Sequence, residues 1–245
     1  MNSSNSLASD AWSALSKNRA AWFSAIALTT MVLLVLLGPL VSPYEVDQTN
    51  WSKLAKPPSI QDGHVFGTDD LGRDLFVRTM YGGRISLMVG IVATLVSVLI
   101  GVSYGAISGF VGGKVDSIMM RIVDVLYAMP FLFFVILLMV FFGRSIFLIF
   151  VAIGAVNWLD IARIVRGQTL TIKGKEFVDA AKAGGVSTFR IIFRHIVPNL
   201  MGIVVVYVAL TVPQVILVES FLSFLGLGVQ EPMTSWGALV NQGAR

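Results

Sequence analysis

The sequence predicts an all-α, polytopic transmembrane helix bundle, and three observations carry that prediction. Of 245 residues, 56% are hydrophobic and only 13% charged, with a mean hydropathy of +0.80, more apolar surface than an ordinary soluble domain can hide. The apolar residues fall into runs long enough to cross a bilayer. The basic residues collect between those runs, where membrane orientation accounts for them. That placement explains the net charge of +4 and the pI near 9.5 without a nucleic-acid partner. There is no cysteine, which excludes disulfides, thiolate metal sites and thiol nucleophiles.

Residues 1–21 form a polar N-terminal segment, placed in the cytoplasm by Lys17 and Arg19 ahead of the first span. A full-length span follows it directly, unlike a cleaved signal peptide. Residues 22–41 are that span: 20 uncharged residues reach about 30 Å at about 1.5 Å per residue. Residues 42–84 are an extracytoplasmic loop, irregular at Pro43, Pro57 and Pro58. A short helix is expected late in it, starting at Asp69 and Asp70 with Thr68 as cap. The spacing of Asp69, Asp70 and Asp74 lacks the alternating oxygens of a calcium loop, so no metal site is read here.

Residues 85–245 form the core domain, with spans near 85–110, 120–143, 145–162 and 196–220 and a charged loop, 163–195. The third span is read as running through Pro130, with a helical extension from Ser117. The uncharged part of the fourth is short, and its helix is expected to continue through Asp160 toward Arg163 with snorkelling side chains. From a cytoplasmic N-terminus, eleven basic residues fall inside: Lys17, Arg19, Lys114, Arg121 and the seven from Arg163 to Arg194. Seven fall outside, among them Arg144 and Arg245. The inside excess places loop 163–195 in the cytoplasm.

That loop is the one long charged segment between apolar spans. Glu176, Phe177, Ala180, Ala181 and Gly184 recur at helical spacing, so 175–183 reads as a short helix with a small-residue face. Gly184 and Gly185 end it. Ser187 or Thr188 caps a second helix, and Pro198 marks its passage into the next span. A helix with a small-residue face lets another protein's backbone approach, which suits docking more than catalysis.

Other patterns are weaker. Ala93, Ser97, Gly101, Gly105 and Gly109 recur every four residues, a ridge for close helix packing. Gly101 to Gly105 also matches G-x-S-x-G around Ser103, but a nucleophile elbow needs a strand-to-helix turn. An intramembrane serine hydrolase would have to use that serine. Gly112-Gly113-Lys114 is no phosphate loop, because Ser108 and Val115 stand where glycine and Ser or Thr are required. Asp124 and Asp160 are expected to pair with nearby Arg121 and Arg163 rather than to relay protons. Glu219 either lines a translocation path or reaches the membrane interface, and Pro213 is a possible kink that shapes a gate.

The loop also carries a resemblance. Asp179-Ala180-Ala181, Gly185 and His195-Ile196-Val197-Pro198 resemble the loop motif of ABC-importer permeases, E-A-A, three residues, G, nine residues, I-x-L-P, with Asp for Glu, His for Ile and Val for Leu. Residues 66–87 and 219–240 resemble the peptide-importing branch, and the run from His64 onward is similar to its C permease subunits. The resemblance implies a type I importer permease fold and a sixth span beyond the five in this sequence. It implies ATPase coupling through Glu176, Phe177, Asp179, Ala180, Ala181, Gly185, His195 and Pro198. It further implies a homologous second permease, two ATP-binding subunits that hold ATP and Mg, and an extracytoplasmic peptide-binding protein. The substrate is then an oligopeptide; a dipeptide, nickel or another small solute is the alternative within the family. A proton-coupled carrier using Asp124, Asp160 or Glu219 is the alternative outside it.

Overall fold

The computed structural model describes residues 16–143 and 145–244. The expectations for residues 1–15, Arg144 and Arg245 lie outside the described residues. Two compact units divide between Arg84 and Ile85.

In the N-terminal unit, helix α1, Arg19–Val41, starts at Asn18, whose side chain accepts from the Ala21 N–H at 3.2 Å. Its outward residues are apolar and exposed, among them Phe23, Leu33, Leu36 and Leu40. Pro39 lies within α1 and has no N–H to offer the Val35 carbonyl one turn back. The Arg84 guanidinium supplies the missing donor, from Nε to Val35 O at 3.1 Å and from Nη2 to Leu36 O.

The outer segment corrects the predicted helix start. Thr68 does not cap a helix; its hydroxyl accepts from the Lys56 N–H at 2.9 Å and donates to the Lys53 carbonyl. Asp69 instead closes a turn, accepting from the N–H groups of Leu71 and Arg73, each at 2.9 Å, and from Arg73 Nε at 2.7 Å. The cap is Asp74, whose Oδ1 accepts from the Val77 N–H at 2.8 Å, and helix α2 runs Leu75–Val111. What reads as a separate short helix is the first turns of this long one. Gly72 is obligatory for two reasons: its φ is +73°, and a Cβ would stand 2.0 Å from the Asn50 carbonyl oxygen. Among the described residues no cluster suited to a metal ion occurs.

In the second unit, α2 is followed by α3, Gly113–Ala128, α4, Phe131–Phe142, α5, Ile146–Lys173, α6, Glu176–Ala183, α7, Thr188–Ile191, a π-helical turn, Ile192–Ile196, α8, Val197–Phe224, and α9, Trp236–Gly243. Among the described residues, four stretches are long and apolar enough to cross a membrane: Arg19–Val41, Leu75–Val111, Phe147–Lys173 and Thr188–Phe224. The pair α3 and α4 makes a fifth only as a broken span, bent by 85°. This corrects the single helix expected through Pro130: Met129, held extended at ψ 130° ahead of the proline, ends α3. The helix expected to outrun its apolar run near Arg163 does so, continuing to Lys173.

The small-residue ridge of α2 packs on α5 with a constant register. Ser97 Oγ donates to the Gly154 carbonyl at 3.2 Å. A Cβ on Gly101 would meet Trp158 O at 2.9 Å, one on Gly105 would meet Ala162 O at 2.4 Å, and one on Gly109 would meet Arg166 O at 2.8 Å. Each pair is separated by the 57 residues of the Ser97–Gly154 contact, so the two helices run parallel, backbone against backbone. Ser103 lies inside uninterrupted α2, where no strand-to-helix elbow exists.

Candidate coupling surface

Loop helix α6 has the termini its sequence dictates. Lys175 stands at its N-cap, Glu176 and Asp179 lie in its first turn, and Lys182 in its last, so the charges complement the helix dipole. At the other end Gly185, at φ +74°, allows the Gly185 N–H to reach the Lys182 carbonyl at 3.0 Å and the Val186 N–H to reach Ala181 at 3.1 Å. That is a Schellman closure, and it needs a residue at ease with positive φ.

Two faces of α6 then separate. Val178 is fully buried among Ile161, Val165, Ile191, Ile192, Ile196 and Leu200, with Ala181 and Val186 packed beside it. Glu176, Phe177, Asp179, Ala180 and Gly185 face outward, with Phe177 41% exposed. The predicted small-residue face is therefore divided: Ala180 is on the surface, while Ala181 anchors the helix to the bundle. Beside it, Phe189 is 71% exposed and lies 4.6 Å, centroid to centroid, from Phe193.

The second loop helix is capped through its backbone only: the Ile191 N–H donates to the Ser187 carbonyl at 2.9 Å, with no side-chain cap. The π turn, Ile192–Ile196, joins it to α8, and Asn199 Nδ2 donates to the His195 carbonyl at 2.7 Å. His195 is half-buried in that turn and Pro198 exposed at the first turn of α8, where a missing N–H costs nothing. Ile191, Ile192, Ile196 and Leu200 share one apolar cluster with Val102, Ala106 and Phe110 of α2 and Ile161 and Val165 of α5, so Val178 of α6 packs into the side chains of three spanning helices.

Polar side chains fasten the α3 helix to α5. Arg166 grips Asp116 with both prongs, Nε to Oδ1 and Nη2 to Oδ2, each at 2.6 Å, and Ser108 of α2 donates to the same carboxylate. Arg163 pairs with Asp124 at 2.7 Å and lies over the Tyr127 ring, 4.5 Å from its centroid. The expected pairing thus holds for Asp124, but not for Asp160, which accepts from the Tyr127 hydroxyl at 3.1 Å instead. The reason is geometric: α3 crosses in front of Arg163 and brings it a nearer carboxylate.

Glu219 is neither at an interface nor on an open path. It is completely buried and accepts from Ser86 Oγ at 3.0 Å and Ser223 Oγ at 2.6 Å. The Trp236 N–H donates to the same Ser86 oxygen at 3.2 Å, so the carboxylate ties α2, α8 and α9 together. Helix α8 continues unbroken through Pro213, which is exposed.

The architecture of spanning helices joined by a docked loop helix agrees with what comparison of the sequence finds. A family model described as binding-protein-dependent transport system inner membrane component matches residues 98–244. The chain belongs to this family. A second model, the N-terminal TM domain of oligopeptide transport permease C, matches residues 6–58. The oligopeptide transport system permease protein OppC of Escherichia coli (strain K12) is 59% identical over 239 residues, 98% of this chain and 79% of that protein. The OppC protein of Haemophilus influenzae is 54% identical over 98% of this chain and 77% of its own length. The dipeptide transport system permease protein DppC of Bacillus subtilis is 50% identical over 96% of this chain and 72% of its own length. As a member of the family the chain is a multi-pass inner-membrane permease component of a transport system.

Proposed function

We propose that this permease component carries oligopeptides across the inner membrane as one half of an ATP-driven importer. The observation that carries the substrate is the 59% identity to an oligopeptide permease over nearly the whole chain. The 50% identical dipeptide permease supports the dipeptide reading less well. A binding-protein-dependent family argues against a proton-coupled carrier.

In this reading a homologous second permease completes the path, an extracytoplasmic binding protein delivers peptide, and two ATP-binding subunits in the cytoplasm hold ATP and Mg. The N-terminus is cytoplasmic. The exposed face of α6, with Phe177, Ala180 and Gly185, seats in a groove of an ATP-binding subunit. Closure of the nucleotide-bound pair carries α6 with it, and the shared cluster passes the movement to α2, α5 and α8. Nucleotide drives the change because the ATP-binding subunits hold it with different affinity in the two states.

The experiment is uptake of a labelled tripeptide, pentapeptide and dipeptide by cells lacking their own peptide permeases and supplied with this chain and its partners. Uptake of tri- and pentapeptide that persists under an uncoupler while ATP is held constant fits the proposal. Loss of uptake under the uncoupler, or uptake of the dipeptide alone, refutes it.

A further inference from the structure

A cavity of about 300 Å³ opens where α3 breaks into α4, lined by Tyr127, Met129, Asn157, Asp160, Gln214 and Val218. Asn157 stands eleven residues from the start of α5 and Gln214 ten from the end of α8. At about 1.5 Å per residue each lies about 15 Å along its helix, half of a hydrocarbon core about 30 Å thick. Polar groups at that depth are costly against lipid and belong on a hydrated path or an internal contact. Their bonds are incomplete. The Gln214 side chain has no hydrogen-bond partner among the described residues, and Asn157 uses only its Nδ2, to Ile153 O at 2.9 Å. Asp160 is exposed, accepts from Tyr127 alone and has no cationic partner among the described residues, because Arg163 is committed to Asp124.

From this we infer that the cavity is a subsite on the translocation path that receives the amino-terminal end of a peptide. The α-ammonium pairs with Asp160, and the first peptide groups are met by Asn157 and Gln214. A carboxylate fitted with one neutral donor and facing an open cavity is the complement of a cation with three N–H groups. The volume is at the lower end of small-molecule sites, about 300–1,000 Å³, which suits one end of a chain rather than a whole peptide. Met129 and Val218 add an apolar wall without selecting a side chain. The break at Pro130 borders the space: Tyr127 and Met129 before it and Phe131 after it line the cavity.

The inference rests on the oligopeptide reading, and its test separates the two. The complete importer in lipid nanodiscs is illuminated during turnover with two tripeptides carrying benzophenone on the first or on the last residue, and adducts on this chain are mapped by mass spectrometry. The first-residue probe is expected to label segments 126–131, 156–160 and 214–218 at least ten-fold more than the last-residue probe. Asp160→Asn should abolish that preference and slow uptake about ten-fold, while Asp160→Glu keeps both. Equal labelling by the two probes, no labelling of these segments, or unchanged uptake in Asp160→Asn overturns the subsite. If Asp160→Asn does not assemble, labelling of the unaltered complex decides alone. An unaltered complex that takes up no peptide at all overturns the oligopeptide reading instead.

Discussion

The Val186 N–H donates to the Ala181 carbonyl at 3.1 Å because Gly185 between them holds φ at +74°. No side chain stands within reach of a Cβ there, so a substitution at Gly185 fails through its backbone and not through a clash. Gly185→Val should cost about 1–3 kcal/mol locally, and Gly185→Asn, which tolerates the left-handed region, clearly less. Amide hydrogen exchange over residues 176–187 of the purified complex reads the difference as faster exchange in the valine variant.

Gly105 presents the opposite case. A Cβ there would lie 2.4 Å from the Ala162 carbonyl oxygen, and neither backbone can yield without separating α2 from α5. Gly105→Ala should destabilise by about 1–3 kcal/mol, seen as a lower melting temperature of the detergent-purified complex. Gly167→Ala, on α5 with open space around it, should leave that temperature unchanged or raise it.

The ridge, the loop helix and four of the spans were legible in the sequence because each rests on a local period or a glycine. The break in the third span was not read: Pro130 marks it, but the uncharged run from Val125 to Gly143 reads as one continuous span. Nor was the choice of Asp74 over Thr68 as cap: Thr68 precedes two acids that suit a helix start and Asp74 precedes Leu75, and only the turn that Asp69 closes with Arg73 decides between them. Likewise the partner of Arg163 depends on where α3 crosses α5. Spacing along one helix favours Asp160, while the fold supplies Asp124.

Two ion pairs between the same helices should differ in weight. Arg166 and Asp116 are joined by two bonds of 2.6 Å with the carboxylate largely buried, so Arg166→Met should lower stability by about 1–3 kcal/mol. Arg163 and Asp124 are each about half exposed, and Arg163→Met should cost under about 1 kcal/mol. Paired thermal melts of the two variants in one detergent test the ranking.

At Glu219 the network sets the outcome. Glu219→Leu strands the buried hydroxyls of Ser86 and Ser223 and should cost about 1–3 kcal/mol. Glu219→Gln keeps an acceptor and should retain most of the stability. Protease cleavage of the 225–235 segment in membranes, which the Ser223 and Ser235 hydroxyls help hold, should rise in the leucine variant first.

The direct test of coupling is Ala180→Arg, because Ala180 is on the exposed face of α6 while Ala181 is packed inward. Peptide uptake and ATP hydrolysis are measured together in proteoliposomes holding the assembled importer. The account predicts normal insertion, uptake reduced at least ten-fold, and hydrolysis that no longer responds to peptide-loaded binding protein. Unchanged uptake with hydrolysis still responsive would contradict it.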